Sequence, residues 1–171
     1  FSLACSIILM RYIHRELTVD AHSVDPEHII IPIRDIEGNL HPGSLQQGWS
    51  ETDSVYIPDH QIVEQCRLML QQRDNVVYEN SNYAMNIAAV DSTFFHFFHY
   101  PVAAGEAHLD APGDAIITQH YARNIFGKEN PIGKVLEYCG KNITIKGVIG
   151  ELGCKSLLRF DLLVSYRLVE H

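Results

Sequence analysis

The chain has 171 residues, 46% of them hydrophobic and 20% charged. This length is enough to bury the core of one domain or of two small packed subdomains. This composition is typical of a globular chain. The formal net charge is −8, which argues against a nucleic-acid partner because phosphate binding needs a basic face. The four cysteines form no CxxC pair, so a zinc ribbon or redox motif is disfavoured, while a Cys139–Cys154 disulfide stays open.

The first ten residues, FSLACSIILM, are apolar and uncharged. A signal peptide is disfavoured because no charged region precedes this run and no small-residue cleavage site follows it. Ten helical residues span about 15 Å, whereas a membrane-spanning helix needs about 20 residues. Two interpretations remain open. The run is either the outer part of a membrane span, with Arg11 and Tyr12 at the interface, or a buried amphipathic helix.

The next segments predict a strand, a loop and a helix. Ile29–Arg34 is rich in β-branched residues and predicts a strand, at an edge or bulge because it contains Pro32. Asp35–Tyr56 contains three Gly and three Ser together with one Asn and one Pro, and this composition predicts a long loop. A helix is predicted to begin at Pro58, because the apolar residues that follow it have helical spacing. These apolar residues are Ile62, Val63, Cys66, Met69 and Leu70.

The middle of the chain predicts two strands and an aromatic helix. The strands are Asn75–Glu79 and Ala84–Val90, joined at Asn80–Asn82. A helix is then predicted to begin at Asp91 and to carry a cluster of aromatic residues. This cluster comprises Phe94, Phe95, Phe97, Phe98 and Tyr100. Core packing is the simplest interpretation of the cluster, and an exposed contact surface is the alternative.

The last part of the chain predicts four further strands and one helix. Ala115–Ile117 predicts a short strand, and Thr118 is expected to cap a helix that ends at Gly127. The remaining strands are predicted at Leu136–Tyr138, Ile143–Ile149 and Phe160–Val164, the first two forming a hairpin around Gly140-Lys141. Strands and helices do not alternate regularly, which favours an α+β fold over a doubly wound sheet.

The stretch FGKENPIGKVL, residues 126–136, has the glycines and lysine of a phosphate-binding loop. Such a loop has four residues between its first Gly and the Gly-Lys pair, followed by Ser or Thr. Here five residues intervene and Val135 takes the hydroxyl position. The segment also runs from a predicted helix into a strand, so it meets a helix C-terminus, whose partial charge is negative. The sequence therefore excludes a nucleotide site here.

Other chemical signatures are weak. His96 and His99 are three residues apart on the aromatic helix, with His108 nearby, but a zinc site needs three or four converging ligands. Histidines at the polar edge of an aromatic helix are the simpler interpretation. No GxSxG elbow is present. We therefore expect no catalytic residue, no metal ligand and no cofactor-binding residue.

Four segments, in the same order and register, resemble the extracytoplasmic core domain of MacB/FtsX-type ABC transporter permeases. They are VDSTFFHFFHYPVAAGEA (Val90–Ala107), AIITQHYARNIFGKENPIGKVL (Ala115–Leu136), ITIKGVIGEL (Ile143–Leu152) and SLLRFDLLVS (Ser156–Ser165). RYIHRELTVDAHSV, residues 11–24, further resembles the stretch that leaves the first transmembrane helix in this family.

The resemblance implies a fold of two small α/β subdomains, one inserted in the other. Residues 1–17 would be the end of the first transmembrane helix and a juxtamembrane helix, and residues 18–171 the extracytoplasmic core domain. Within it, residues 18–83 plus 152–171 would form the membrane-proximal subdomain and residues 84–151 the inserted one. Family members continue with a further strand and helix before their second span.

The resemblance also implies a function. The domain would be the non-catalytic part of a permease in the bacterial inner membrane, facing the periplasm and transmitting an ATP-driven conformational change. Its implied partners are a cytoplasmic ATPase, a second permease copy and a periplasmic or outer-membrane protein. Two alternatives remain: a soluble ligand-binding module with a deep pocket, and a metal-dependent hydrolase that uses His96, His99 and an acid.

Overall fold

The computed structural model describes residues 6–7, 10–13, 21–29, 33–36, 39–42, 64, 66–152, 156 and 158–170. Residues 6–7 and 10–13 are helical, and Pro26–His28 forms one 3₁₀ turn. The α-helices beyond them are α1 (Phe94–Phe97), α2 (Gln119–Phe126) and α3 (Tyr166–Val169). The strands are β1 (Ile33–Ile36), β2 (Asn39–Pro42), β3 (Leu68–Tyr78), β4 (Ser81–Val90), β5 (Val102–Gly105), β6 (Asp114–Thr118), β7 (Val135–Tyr138), β8 (Lys141–Ile149) and β9 (Leu162–Ser165). The α+β prediction is confirmed. In these described ranges, no helix is long and apolar enough to cross a membrane.

The first strands form a hairpin that the sequence did not predict. β1 pairs antiparallel with β2, from Ile33↔Pro42 to Ile36↔Asn39. β2 falls in the segment predicted as a loop, because Gly38 and Asn39 suit a hairpin turn as well as a loop. Residues 30–32 of the predicted first strand, and residues 43–63 of the predicted loop and helix, lie outside the described part of the chain.

The hairpin of β3 and β4 is the longest in the sheet. The prediction of two strands here is confirmed, and Glu79 and Asn80 make the turn with φ of 46° and 65°, the left-handed geometry of a tight hairpin. The predicted helix through Met69 and Leu70 is wrong, because β3 already begins at Leu68. Leu68 and Leu70 pair with Val90 and Ala88, so cross-strand pairing overrides the helical spacing.

The pairings of the large sheet close into a ring. β6, β9, β4, β3, β7 and β8 each pair with the next, and β8 returns to β6. The β3–β7 contact is a single pair, Val77↔Glu137. β4 with β9 and β6 with β8 are parallel, whereas the other pairings are antiparallel. β5 pairs with the outer edge of β8 beyond β7.

Three neighbouring strands of the ring, β4, β9 and β6, are buried on both faces. One core is built around Tyr138 and Phe126, with helices α2 and α3 against it. The other contains Phe94, Tyr100 and Phe160. Neighbouring residues of β4, β6 and β9 alternate between the two cores, as expected when side chains point to opposite faces in turn. Near-continuous apolar runs such as AAV and AIIT result from this double burial.

The β9 strand is tied to β4 through Asp161. Its carboxylate accepts hydrogen bonds at 2.8 Å from both the backbone and the side-chain nitrogen of Asn86, and its own N–H donates to the Asn86 carbonyl at 2.7 Å. The Asp161 carbonyl accepts the Thr118 N–H at 3.0 Å. Thr118 does occupy the N-cap position of α2, but its hydroxyl makes no capping hydrogen bond, which corrects the predicted cap.

The stretch FGKENPIGKVL is a helix end followed by a turn. Gly127, at φ 61°, donates its N–H to the Arg123 carbonyl and ends α2, as predicted. The hydrogen-bonded turn that follows runs from Pro131 to Lys134, with Gly133 at φ 82° in its third position. The Lys134 ammonium hydrogen-bonds Glu129 at 2.7 Å, which raises the pKa of Lys134 and lowers that of Glu129. The positive charge of Lys134 is therefore already paired with Glu129.

Gly147 marks a close approach of two backbones. A Cβ at this position would lie 2.1 Å from the carbonyl oxygen of Glu106, which follows β5. The same contact includes a hydrogen bond from the Glu106 N–H to the Lys146 carbonyl at 3.1 Å. Only a residue without a side chain permits β5 to pair with β8 at this point.

We predict that Gly147→Ala destabilises the fold by about 1–3 kcal/mol, because the new methyl group forces two backbones apart. Gly113→Ala is the matched control, since its Cβ would come no closer than 3.4 Å to any atom. Urea denaturation of both variants measures the difference. Equal stability of the two would contradict the close approach.

Candidate functional site

The N-terminal and C-terminal segments of the described domain converge on one stretch of chain. Residues 22–24 pair with the end of α1: the Val24 N–H donates to the Phe97 carbonyl at 2.8 Å, and the His99 N–H donates to the His22 carbonyl at 2.7 Å. Ser23 forms a bridge with Phe98. We call residues 22–24, Arg67, residues 91–100 and residues 165–170 the end junction.

The aromatic cluster forms the apolar part of the end junction. Phe94 is fully buried and lies within 6.2 Å, between ring centroids, of its aromatic neighbours. These neighbours are Phe95, Phe98, Tyr100 and Phe160. The His22 ring is buried against Phe98 and Tyr100, with centroid distances of 5.6 and 4.9 Å. The core interpretation of the cluster is therefore confirmed for Phe94 and Tyr100.

The aromatic helix is shorter than predicted. α1 covers only Phe94–Phe97, and Phe98 is extended, with φ of −129° and ψ of 121°. The physical reason is the bridge to Ser23, which requires extended backbone at Phe98. A partner distant in sequence thus ends a helix that the local pattern would have continued.

Asp91 holds the polar part of the end junction together. One carboxylate oxygen accepts the Arg67 N–H at 2.7 Å, and the other accepts the Thr93 hydroxyl at 2.7 Å and the Thr93 N–H at 3.2 Å. The Asp91 N–H donates to the Arg67 carbonyl at 3.2 Å. Asp91 therefore fixes the start of β3 to the turn that leads into α1.

The C-terminal helix α3 attaches to the same residues. The Arg67 guanidinium carbon lies 5.6 Å from the centroid of the Tyr166 ring, and its Nη1 lies 3.6 Å from Glu170 Oε1. On the other side, the Lys141 ammonium donates to the Leu168 carbonyl at 2.8 Å. Residues 22–24 and α3 therefore attach to neighbouring positions, the first through Phe97 and His99 and the second through Arg67.

A cleft of about 460 Å³ opens at the end junction. Arg67, Asp91 and Ser165 line it, together with Leu109 and Asp110 from the loop between β5 and β6. Parallel pairing of β4 and β9 places Val90 beside Ser165, so the ends of both strands open into the cleft. No sequence motif indicated Arg67, Tyr166 or this cleft, because its walls come from four separate segments.

The Cys66 thiol lies next to Asp91 and is protected from ionisation. Burial, and then the negative charge of Asp91, raise the pKa of this thiol from 9.0 to about 12. Cys139 is exposed and its thiol is free. Cys154, its proposed disulfide partner, lies outside the described residues.

The three histidines of the metal hypothesis have separate partners. His96 Nδ1 lies 2.7 Å from Glu64, whereas His108 Nε2 lies 3.1 Å from Glu106 and 3.2 Å from Asp110. His99 is exposed and uses its backbone in the bridge to residue 22. Among the described residues, no group of three or more His, Cys, Asp and Glu is arranged to hold a metal ion. His96 and His99 therefore share no such group with an acid.

We predict that iodoacetamide modifies Cys139 at least about a hundredfold faster than Cys66 at pH 8. With a pKa near 12, only about one Cys66 thiol in ten thousand is a thiolate at that pH. Mass spectrometry of a Cys5→Ser, Cys154→Ser background measures both rates. The rates should converge in denaturant, and equal rates in the folded protein would contradict the burial of Cys66.

The raised pKa of Cys66 also predicts a pH dependence of stability. Above pH 9 the thiol ionises in the unfolded chain while it remains protonated in the folded one. The free energy of unfolding should therefore fall as the pH rises from 9 towards 12. Cys66→Ser should remove this part of the decrease, measured as the difference between the two unfolding curves. A parallel pH dependence in both proteins would contradict it.

We predict that Asp91→Ala destabilises the fold by about 1–3 kcal/mol, because it leaves the hydrogen-bond donors of Arg67 and Thr93 without their acceptor. Asp110→Ala is the control. Its carboxylate is 74% exposed, so its loss should change stability by no more than about 0.5 kcal/mol. Urea denaturation distinguishes the two, and an equally small effect of Asp91→Ala would contradict its role in the end junction.

Comparison with known proteins supplies the family. Residues 17–170 match the family model of the MacB-like periplasmic core domain. The fold is similar to a domain described as a permease protein from Porphyromonas gingivalis, with 23% identity, a TM-score of 0.52, and coverage of 60% of this chain and 50% of that one. It is also similar to the periplasmic region of MacB from Actinobacillus actinomycetemcomitans, with 15% identity, a TM-score of 0.50, and coverage of 62% and 50%.

The chain covers half the length of each of these two structures. At these identities the likeness shows the fold alone. No curated protein matches the chain. The family match spans nearly the whole sequence, including the end junction and the four segments that suggested the resemblance. The chain therefore belongs to the MacB-like periplasmic core domain family, the extracytoplasmic domains of MacB/FtsX-type ABC transporter permeases.

Proposed function

We propose that this domain transmits an ATP-driven conformational change across the bacterial inner membrane, as the extracytoplasmic part of a permease subunit. ATP hydrolysis would take place in a separate cytoplasmic ATPase, and the permease would work as a dimer. A periplasmic or outer-membrane protein would receive the motion. The domain itself would carry no catalytic, metal-binding or cofactor-binding residue.

The observation that carries this proposal is the end junction. Residues 22–24 are the last residues of the segment proposed to leave the membrane, and they are hydrogen-bonded to Phe97 and His99. α3 leads towards the C-terminal end of the chain and contacts Arg67, which Asp91 fixes to the same turn. A displacement of residues 22–24 or of α3 would therefore reach one stretch of chain, anchored in the aromatic core.

The sheet offers a path from the end junction to the rest of the domain. β4 and β9, whose ends meet at the junction, are neighbouring strands of the ring and are buried on both faces. Packed cores transmit displacement because they have low compressibility. Force applied at the junction would thus be passed through these strands to the rest of the sheet.

The division into residues 18–83 plus 152–171 and residues 84–151 stays a proposal. β3 and β9 belong to the first part and β5 to β8 belong to the second. β4 (Ser81–Val90) crosses the boundary at residue 84 and pairs with both β3 and β9 in one sheet. A relative motion of the two parts would therefore bend the sheet rather than separate two bodies. This suits a domain that passes on a movement.

We predict that Val24→Pro uncouples the domain in the full-length permease. Proline lacks the N–H that donates to Phe97, and it restricts Ser23 as well. Val24→Ala is the matched control, because it keeps the N–H and changes only a side chain that is 62% exposed. Both variants should support ATP hydrolysis by the partner subunit.

The measurement is the distance between spin labels at Glu137→Cys in the two permease copies, with native cysteines replaced by serine. Trapping the ATPase with vanadate should shift this distance in the Val24→Ala protein and much less in the Val24→Pro protein. An unchanged distance in the control would overturn the proposed transmission. Equal shifts in both variants would overturn the role of the end junction.

A further inference from the structure

The cleft at the end junction has charges of both signs on its walls. Arg67 and Arg167 supply guanidinium groups, and Asp110 and Glu170 supply carboxylates. The volume of about 460 Å³ lies within the usual range of small-molecule sites, roughly 300–1,000 Å³. A ligand that fits here would meet cationic and anionic groups together.

The guanidinium groups of Arg67 and Arg167 have N–H donors that a ligand could use. The exposed Arg167 makes no hydrogen bond or ion pair within the part of the chain that the structure describes. Arg67 is held at the wall by the Tyr166 ring. Its contact with Glu170 is long, at 3.6 Å, and the two side chains are 61% and 55% exposed. Such exposed pairs contribute little stability, so a ligand can replace this contact at low cost.

The other residues that line the cleft differ in whether their polar groups already have hydrogen-bond partners. The Asp91 carboxylate already accepts three hydrogen bonds from Arg67 and Thr93. Among the described residues, the Asp110 carboxylate is ion-paired with the exposed His108, at 3.2 Å. Leu109 and Ser165 are each 4% exposed. Leu109 supplies an apolar surface, and Ser165 supplies a hydroxyl that makes no capping hydrogen bond to α3. The available charges are therefore two cations and two anions.

We infer that this cleft binds a small zwitterion, a phosphate ester that carries a primary ammonium group. The guanidinium groups of Arg67 and Arg167 would hold the phosphate, since each offers five donors and phosphate has enough oxygens to accept from both. Glu170 and Asp110 would hold the ammonium group through charge-assisted hydrogen bonds. Free phosphoethanolamine and the headgroup of phosphatidylethanolamine share this chemistry.

Isothermal titration calorimetry on the purified full chain tests the inference by measuring the affinity for each ligand. O-phosphoethanolamine should bind about tenfold or more tightly than inorganic phosphate or ethanolamine, each of which engages only one kind of charge. Vesicles with and without phosphatidylethanolamine distinguish the two sources. Binding to the vesicles and to the free compound indicates a lipid headgroup, whereas binding to the free compound alone indicates a soluble ligand.

Two substitutions separate the roles of the charges. Arg167→Gln should weaken both phosphoethanolamine and phosphate by about tenfold, while Arg123→Gln on α2, outside the cleft, should leave both unchanged. Glu170→Gln should weaken phosphoethanolamine but leave phosphate unchanged or tighter. Thermal unfolding of each variant confirms that the fold is intact, and Arg167 is suited to this test because its side chain is exposed.

Several results would overturn the inference. Equal affinity for phosphate and phosphoethanolamine would mean a simple anion site, and an equal effect of Glu170→Gln on both would exclude an ammonium subsite. Absence of binding to every probe would exclude the site. None of these measurements requires the ATPase, so their failure leaves the proposed transmission untouched.

Discussion

The parallel pairing of β4 with β9 is the contact on which the rest of the structure depends. It joins residues about 75 positions apart, from Ile87↔Leu162 to Val90↔Ser165, and Asp161 fixes its register by binding Asn86 through both backbone and side chain. Both strands are buried on both faces. The pairing therefore creates two cores at once and places the ends of both strands at the same edge of the sheet.

The end junction is a consequence of this pairing. Because Val90 lies opposite Ser165, the turn at Asp91 lies beside the helix that begins at Tyr166. Asp91 then fixes Arg67 to the same place, and residues 22–24 add the N-terminal segment through two backbone hydrogen bonds. Segments that are far apart in sequence thus meet at a small polar contact with an aromatic core beneath it. That arrangement suits a domain that receives motion from its chain ends.

The glycine-containing stretch after α2 resembles a phosphate-binding loop in sequence, but its residues have structural roles. Gly127 ends a helix and Gly133 makes a turn, and the Gly133 N–H joins the turn to Ile145 of β8 at 2.8 Å. The lysine that a phosphate loop would use is paired with Glu129. Each residue that made the motif suggestive has a structural partner, and the order of helix before strand directs a negative helix end towards the loop.

The sequence by itself determined the α+β class, the strands around Asn80 and Gly140, the end of α2 at Gly127 and the family resemblance. These features depend on local rules: turn residues with positive φ, apolar runs between them, and short motifs in a fixed order. Only the tertiary structure decided that Leu68–Leu70 is a strand, that Phe98 leaves the helix, and that Arg67 meets Glu170. Each of these depends on a partner distant in sequence, and the free energy of pairing or burial with that partner exceeds the small local preference of the chain.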